Sequence, residues 1–339
     1  MSVDREFIKG LPKAEMHMHL EGSLEPELKL KLAERNNIDI GQDTVEEVRA
    51  SYQFDDLSSF LAVYYPAMNV LQTEEDFYDL AMAYLKRTKE DGVVYAEVFF
   101  DPQAHTSRGV DFADVVNGYY KATIDGEKEY GVKSNLIMCF LRDESVESAE
   151  KHYELALDYK DKILGIGLDS DEQDNPPMKF YDVFQRAKED GFHITMHCDI
   201  DQEDSISHIK DVITKIGVER IDHGTNILED DDLTNLAIEK ELGFTCCPLS
   251  NGFVTDDMKA DEIVELLRRG ALVSIASDDP AYFGGYAADN MIALAEKANL
   301  SKKDIVELAK NSIKSTWLEA DEKEKYLEDI ADYVESYNK

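Results

Sequence analysis

Short apolar runs alternate with amphipathic helical segments along most of this chain. Seven of these runs are typical of buried strands, and they span residues 93–100, 134–141, 163–168, 193–197, 220–223, 244–247 and 272–276. An earlier strand-like run at 16–20 brings the number of strand candidates to eight. A strand–helix unit repeated this often predicts an α/β protein built as a (β/α)8 TIM barrel. An open doubly wound sheet is the alternative fold, but no G-x-G-x-x-G motif follows any of the strands.

The chain is longer than a barrel of this kind requires. A (β/α)8 barrel needs about 250 residues, whereas this chain has 339. We predict a helical insertion after strand one, over residues 24–90, and C-terminal helices over residues 291–337. Within the insertion, Thr73 and Asp76 have the spacing of a capping box that opens a helix ending near Lys89. Because no linker-like stretch interrupts the pattern, we predict a single domain over residues 1–339.

Histidines and aspartates fall where the predicted strands end. His17 and His19 are two residues apart in the first run, so their side chains point the same way. In a (β/α)8 barrel the active site lies at the carboxyl ends of the strands. Further candidates stand at the ends of strands five, six and eight: His197, His223, Asp278 and Asp279.

This group has the composition of a catalytic metal site. Imidazole nitrogen and carboxylate oxygen together suit zinc or iron, and a catalytic zinc keeps one position for water. We predict one Zn²⁺ per chain, with iron as the alternative, held by four ligands: His17, His19, His197 and Asp278. His223 would orient the activated water or take its proton, and Asp278 would have a catalytic role as well, helping to steer that water. Asp279 would remain free to hydrogen-bond a substrate.

Other histidines and aromatic residues are expected to be structural. His105, His152, His193 and His208 fit no ligand pattern, although His105 follows a strand end and could face the pocket. Aromatic and apolar side chains between residues 54 and 65 could form a lid, but core packing explains them as well.

The balance of charge limits the partners of the chain. With 72 acidic and 36 basic residues, the net charge is -36, which repels the phosphates of nucleic acid and of anionic membranes. We therefore expect a small-molecule substrate, no nucleic-acid polymer and no membrane partner. The four cysteines form no C-x-x-C pair, which favours free thiols and a cytoplasmic location. The oligomeric state is not predicted.

Six sequence blocks resemble one known family. They lie at residues 11–22 (LPKAEMHMHLEG), 96–103 (AEVFFDPQ), 165–170 (GIGLDS), 219–224 (ERIDHG), 247–251 (CPLSN) and 277–286 (SDDPAYFGGY). Together they resemble the adenosine/adenine deaminase family of the amidohydrolase superfamily. Glu21 stands where adenosine deaminases typically carry Asp, and the stretches 175–177 (NPP), 248–251 and 281–286 also look like the adenine deaminase branch.

The resemblance implies a site and a reaction. It implies one zinc ion, hydrolytic loss of ammonia from a purine, and a purine ring held by Ser170 and Asp279. It also implies that Glu21 limits the room beside the five-membered ring.

One motif departs from the family pattern. The strand-five sequence of the family is His-Ala-Gly-Glu, whereas this chain reads His197-Cys198-Asp199-Ile200. The family glutamate protonates a ring nitrogen, and Ile200 cannot do so. General acid catalysis is commonly worth about 10²–10⁴-fold in rate, so a replacement acid is needed. Asp199, Asp201 and Glu203 are near in sequence, and we predict Asp199.

Three interpretations remain open from the sequence. The chain is an adenine-type deaminase with a relocated acid, or a metal-dependent hydrolase or deaminase of another substrate that needs no such protonation. The third interpretation is a metal-binding relative without catalytic activity. Ammonia release from aminopurines separates the first interpretation from the other two.

Overall fold

The described part of the chain, residues 4–337 of a computed structural model, is built around a barrel of parallel strands. The strands are β1 (Lys13–Glu15), β2 (Val93–Phe100), β3 (Lys133–Leu141), β4 (Ile163–Asp169), β5 (His193–Cys198), β6 (Arg220–His223), β7 (Gly243–Cys246) and β8 (Leu272–Ile275). Each strand pairs in parallel with the next one along the chain, from β1 to β8. The prediction of a (β/α)8 barrel is confirmed, and the alternative of an open doubly wound sheet is wrong.

Helices surround the barrel and connect its strands. They are α1 (Arg5–Gly10), α2 (Pro26–Asn36), α3 (Val45–Ala50), α4 (Leu57–Ala67), α5 (Glu74–Lys89), α6 (Pro102–Thr106), α7 (Phe112–Tyr130), α8 (Val146–Leu157), α9 (Tyr181–Glu189), α10 (Ser205–Asp211), α11 (Asp231–Glu239), α12 (Pro248–Val254), α13 (Ala260–Arg269), α14 (Pro280–Phe283), α15 (Ala287–Lys297), α16 (Lys302–Lys314) and α17 (Ala320–Tyr337). A π-helical turn, Val212–Ile216, extends α10.

The long insertion after β1 consists of α2 to α5, and the C-terminal tail consists of α15 to α17, as predicted. The capping box at the start of α5 is present, because Asp76 Oδ2 accepts the backbone N–H of Thr73 at 2.9 Å. Asp76 Oδ1 also accepts from Arg35 of α2 at 2.9 Å. One carboxylate therefore caps α5 and joins it to α2.

The first strand differs from its prediction. The sequence placed it at residues 16–20, but β1 is Lys13–Glu15 and the residues that follow form only isolated bridges. Met18 bridges to Asp278, beyond the end of β8, and His19 bridges to Phe99 of β2. Because this stretch bonds to a different neighbour on each side, it closes the barrel without adding to either regular ladder.

The end of the barrel opposite the strand carboxyl ends is closed by packing. A Cβ atom at Gly165 would lie 2.6 Å from the Trp317 ring, so the glycine lets the indole approach the strands. The buried Arg220 guanidinium donates to Glu97 and stacks over Trp317, 3.7 Å from the ring centroid. The pocket for a reaction is therefore expected at the other end of the barrel, where the strands have their carboxyl ends.

All four cysteines are free and buried, as predicted. Within residues 4–337, none of the helices combines the length and the apolarity that a membrane span requires.

Candidate active site and metal centre

His17 and His19 extend from the end of β1 into the barrel mouth, where their ring centroids are 5.8 Å apart. Nδ1 of His17 lies 2.9 Å from the carbonyl oxygen of Thr245. Because a carbonyl oxygen only accepts, Nδ1 carries the proton and Nε2 presents a lone pair. That Nε2 is buried without a hydrogen-bond partner in residues 4–337, and it lies 3.3 Å from Asp278 Oδ1.

His197 follows the same logic on β5. Its Nδ1 lies 3.0 Å from the carbonyl oxygen of Leu168, so this nitrogen donates and Nε2 carries the lone pair. Nε2 of His197 is 3.2 Å from Nε2 of His19, which in turn is 3.4 Å from Asp278 Oδ1. The fold therefore brings the four predicted ligands together at one end of the barrel.

The donor atoms fit a divalent cation. The ligand atoms of His17, His197, His223 and Asp278 all lie within 4.8 Å of one another, and His19 groups with Asp278 and Asp279 in the same way. With their ring protons on Nδ1, His17 and His197 can both offer an Nε2 lone pair to a bound cation. The carbonyl oxygens of Thr245 and Leu168 fix the rings of His17 and His197, as the outer partners of metal ligands commonly do.

Three pocket residues adopt a left-handed backbone at strand ends. Ser170, His223 and Asp278 have φ angles of 73°, 62° and 61°. Such a conformation costs about 1–3 kcal/mol in a residue other than glycine, and it persists only where the surroundings impose it. All three line the pocket. The strained backbone therefore lies at the carboxyl ends of β4, β6 and β8, where the chain leaves the barrel.

The charges of the group are complementary. Although burial acts against it, His17 and His19 hold the pKa of Asp278 well below its usual value. Burial and the neighbouring His17 lower the pKa of His223 to about 3. Asp278 is therefore ionised and His223 is a neutral base at neutral pH.

Ser170 and Asp279, the predicted substrate contacts, both line the pocket. Ser170 Oγ and Asp279 Oδ1 are buried, and neither has a hydrogen-bond partner in the described part of the chain. Asp279 precedes α14 as its N-cap residue, but its side chain makes no capping bond. These two atoms can therefore accept or donate a hydrogen bond to a ligand in the pocket.

Asp199 and Ile200 both line the pocket, just beyond β5. Asp199 Oδ1 lies 3.4 Å from Nε2 of His223. Burial and the nearby Glu172 carboxylate raise the pKa of Asp199 well above its usual value. Asp201 lies outside the pocket lining, where its carboxylate pairs with Lys259 at 2.6 Å. Of the three acids that the sequence offered, only Asp199 lies on the pocket wall.

Glu21 lies behind the pocket wall rather than on it. It is fully buried, and its Oε1 accepts from His105 Nε2 at 2.8 Å, Tyr119 OH at 3.0 Å and the backbone N–H of Asp101 at 3.4 Å. His105 is thus a buried partner of Glu21, in accord with its expected structural role. The remaining structural candidates, His152, His193 and His208, lie outside the pocket lining.

The sequence reasoning missed three acids at or near the site: Asp101, Asp169 and Glu172. Asp101 and Asp169 line the pocket, and His19 Nδ1 lies 3.4 Å from Asp169 Oδ2. Burial raises the pKa of Asp169 to about 6 and raises that of Asp101 as well. Both aspartates stand at the carboxyl ends of strands. The rule that active-site residues lie at these ends, which led to Asp278, could therefore have predicted them as well. Glu172 lies in a loop, where no sequence pattern marked it.

Helix α4 forms the apolar side of the pocket, through Leu57, Phe60, Leu61, Tyr64 and Tyr65. Phe60 and Tyr64 also belong to the main hydrophobic core. The same two side chains therefore line the pocket and pack in the core, so the two interpretations of this segment do not exclude each other. Ser58 Oγ donates to Asp171 Oδ2 at 2.8 Å, which links α4 to the loop after β4.

Comparison with known proteins places these features in a family. The family model described as "Adenosine deaminase" matches residues 12–333. An uncharacterized deaminase of Schizosaccharomyces pombe is 47% identical, and the match covers 98% of each chain. An adenine deaminase of Vibrio parahaemolyticus is 46% identical, again over 98% of each chain.

A solved structure agrees with the fold as well as the sequence. The crystal structure of an adenine deaminase from Arthrobacter aurescens superposes with a TM-score of 0.92 at 43% identity, and it covers 96% of this chain and 99% of the other.

Proposed function

This chain belongs to the adenosine deaminase family, in its adenine deaminase branch, and from that premise we propose that it hydrolyses adenine to hypoxanthine and ammonia. One observation carries the proposal: the imidazole and carboxylate donors converge in a pocket that also holds a buried acid, Asp199. The relatives named adenine deaminases match nearly the whole chain. A purine base carries no phosphate group, so the net charge of -36 does not oppose its binding.

We assign the metal to His17, His19, His197 and Asp278, and we propose Zn²⁺, one per chain. Three nitrogen donors and one carboxylate are within the range of zinc ligands, and iron is the alternative that the same donors allow. A bound divalent cation supplies Lewis-acid activation of water.

Substrate binding is assigned to Ser170 and Asp279, whose pocket-facing polar atoms lack partners within residues 4–337. For Glu21, which we expected to limit the room beside the five-membered ring, we propose an indirect role. Because Glu21 accepts the backbone N–H of Asp101 at 3.4 Å, it would hold that part of the pocket wall and so limit the room beside the purine.

The proton transfers are assigned to Asp199 and His223. Protonated Asp199 gives its proton to the ring nitrogen next to the amine-bearing carbon, while the water oxygen bonds to that carbon and His223 takes the proton of the water. The adduct collapses when His223 protonates the amine and Asp199 accepts the hydroxyl proton. The carbon–nitrogen bond then breaks, ammonia leaves, and both residues return to their starting states.

The test is product formation by metal-loaded protein. Adenine, adenosine, N-alkylated adenines and other aminated heterocycles are compared for ammonia release, with hypoxanthine identified by chromatography. We expect adenine to be turned over with the highest kcat/KM among the unsubstituted purines. Absence of adenine turnover together with release of an amine from another substrate would favour the second interpretation of the sequence.

A cytoplasmic setting is proposed with the enzyme. It is supported by the four buried free thiols, which a reducing compartment maintains.

A further inference from the structure

We propose that Glu172 is the positioning residue of the general acid Asp199, an inference that rests on the proposed function. Glu172 is fully buried in the loop after β4 and does not line the pocket. Its Oε2 accepts the backbone N–H of Asp199 at 2.5 Å, and its Oε1 accepts from Nδ1 of His208 at 2.7 Å. Glu172 therefore contacts the acid through the main chain.

Two further bonds hold the same stretch of backbone. Arg142 Nη1 donates to the carbonyl oxygen of His197 at 2.9 Å, and Ser205 Oγ donates to the carbonyl oxygen of Asp199 at 2.8 Å. Arg142 Nη2 also lies 3.9 Å from Glu172 Oε1. The segment from the proposed metal ligand His197 to Asp199 is thus held by the buried Arg142 guanidinium, which follows β3, and by the buried Glu172 carboxylate, which follows β4.

The departure from the family motif explains why such a brace is needed. Asp199 precedes the family's glutamate position by one residue, and its side chain is one methylene shorter. In a regular strand, neighbouring side chains point to opposite faces, yet Asp199 and Ile200 both line the pocket. The backbone must therefore leave the strand path after Cys198, where β5 ends, and the Glu172 bond falls at that point.

The rate depends on the position of the acid as well as on its presence. A misplacement of about 1 Å at a reacting group can cost about a hundredfold in rate. Removing the acceptor at residue 172 would free the N–H of Asp199 and let the carboxyl group move from the ring nitrogen. A purely structural role for Glu172, as a partner of Arg142 and His208, is the competing account, and it predicts lost stability without a specific loss of kcat.

A double-mutant cycle separates the two accounts. Glu172→Ala is measured alone and together with Asp199→Asn, using zinc-loaded protein, adenine as substrate, and metal content and Tm as checks on folding. We expect Glu172→Ala alone to lower kcat about tenfold to a hundredfold with little change in KM. In the Asp199→Asn background, we expect no further loss of kcat.

Further variants complete the design. Glu172→Gln keeps an acceptor oxygen and should retain more activity than Glu172→Ala. If the alanine variant does not fold, Glu172→Asp, which withdraws the acceptor by one methylene, takes its place in the cycle. Glu203→Gln removes an exposed carboxylate near the same loop and should leave kcat unchanged. If the losses in the cycle are additive, or if the Gln and Ala variants lose equal activity, the positioning role of Glu172 is wrong, while the proposed function still stands. If Asp199→Asn itself has no effect, the acid assignment in the proposed function fails instead.

Discussion

At the scale of single residues, the pocket combines imidazole and carboxylate side chains. The sequence predicted the metal ligands because imidazole and carboxylate groups at strand ends form a specific pattern. The structure brings these side chains together, and their role as ligands stays a prediction. The sequence favoured Asp199 among three nearby acids but could not show which of them faces the pocket. The path of the backbone beyond β5 is set by contacts distant in sequence, such as the Glu172 carboxylate. The indirect placement of Glu21 was also unpredictable, because His105 and Tyr119 reach it from other elements.

The role of Asp199 yields the first prediction. Asp199→Asn keeps the size of the side chain but cannot donate a proton as a carboxylic acid, so kcat for adenine should fall by about 10²–10⁴-fold. Steady-state assays of hypoxanthine formation measure the effect, with metal content determined in parallel. Asp201→Asn is the matched control, since Asp201 lies outside the pocket and pairs with Lys259, and its kcat should stay near the wild-type value. Equal losses in the two variants would contradict the assignment.

At the scale of elements, turns and caps place the site residues. The short 3₁₀ turn Glu21–Ser23 follows His17 and His19, the proposed metal ligands, and packs closely on Asp279. A Cβ atom at Gly22 would lie 2.0 Å from Asp279 Oδ1 and 2.7 Å from its Cα. The lack of a side chain at this position is therefore what allows Asp279 to sit where it does.

Gly22→Ala should consequently displace Asp279 and weaken substrate binding. Loss of a buried hydrogen-bond partner costs about 1–3 kcal/mol, so we expect KM for adenine to rise by about fivefold or more. Gly252→Ala serves as the control on the same rim, because the nearest atom to its Cβ would be Met258 Cγ at 3.3 Å. An unchanged KM in Gly22→Ala would argue against substrate contact by Asp279.

A second prediction at this scale concerns the cap of α16. Asp304 accepts from Ser301 and forms an ion pair with Arg268 of α13, and the Arg268 guanidinium holds the pKa of Asp304 well below its usual value. A depressed folded-state pKa gives stability that is present above the unfolded pKa of about 3.9 and is lost at lower pH. Asp304→Asn should therefore lower the free energy of unfolding by about 1–2 kcal/mol at neutral pH.

Urea titrations of wild type and Asp304→Asn over a range of pH measure this effect. The difference between the two should be constant at neutral pH and should shrink below about pH 4. A difference that grows on acidification would have the wrong sign for a depressed carboxyl pKa.

At the scale of the whole molecule, the strand–helix repetition sufficed to predict the barrel and the insertion. The boundaries were less predictable: β1 ends before the histidines because the barrel seam there is made of single bridges to two neighbours. The pattern of apolar residues near the histidines cannot predict these bridges, because the bridging partners lie far away in the sequence, in β2 and beyond β8. That residues 1–339 form one domain stays a prediction.

The net charge of -36 has a consequence for stability. Like charges repel one another in the compact state, and salt screens them, with a Debye length that falls from about 30 Å at 0.01 M to about 8 Å at 0.15 M. We expect Tm to rise with sodium chloride over this range, as measured by calorimetry. The slope should be shallower when Glu324 and Glu328, exposed neighbours on one face of α17, are both changed to Gln. A Tm that falls with salt would show that attractive pairs dominate.

The most direct test of the account is the dependence of adenine turnover on bound metal. Protein stripped with a chelator is titrated with zinc while hypoxanthine and ammonia are measured. The account predicts no turnover at zero metal and a linear rise to a plateau at one equivalent per chain, with both the bound metal and the turnover lost in His197→Ala. Adenine turnover that is unaffected by chelation, or metal-loaded protein that releases no ammonia from adenine, would contradict it.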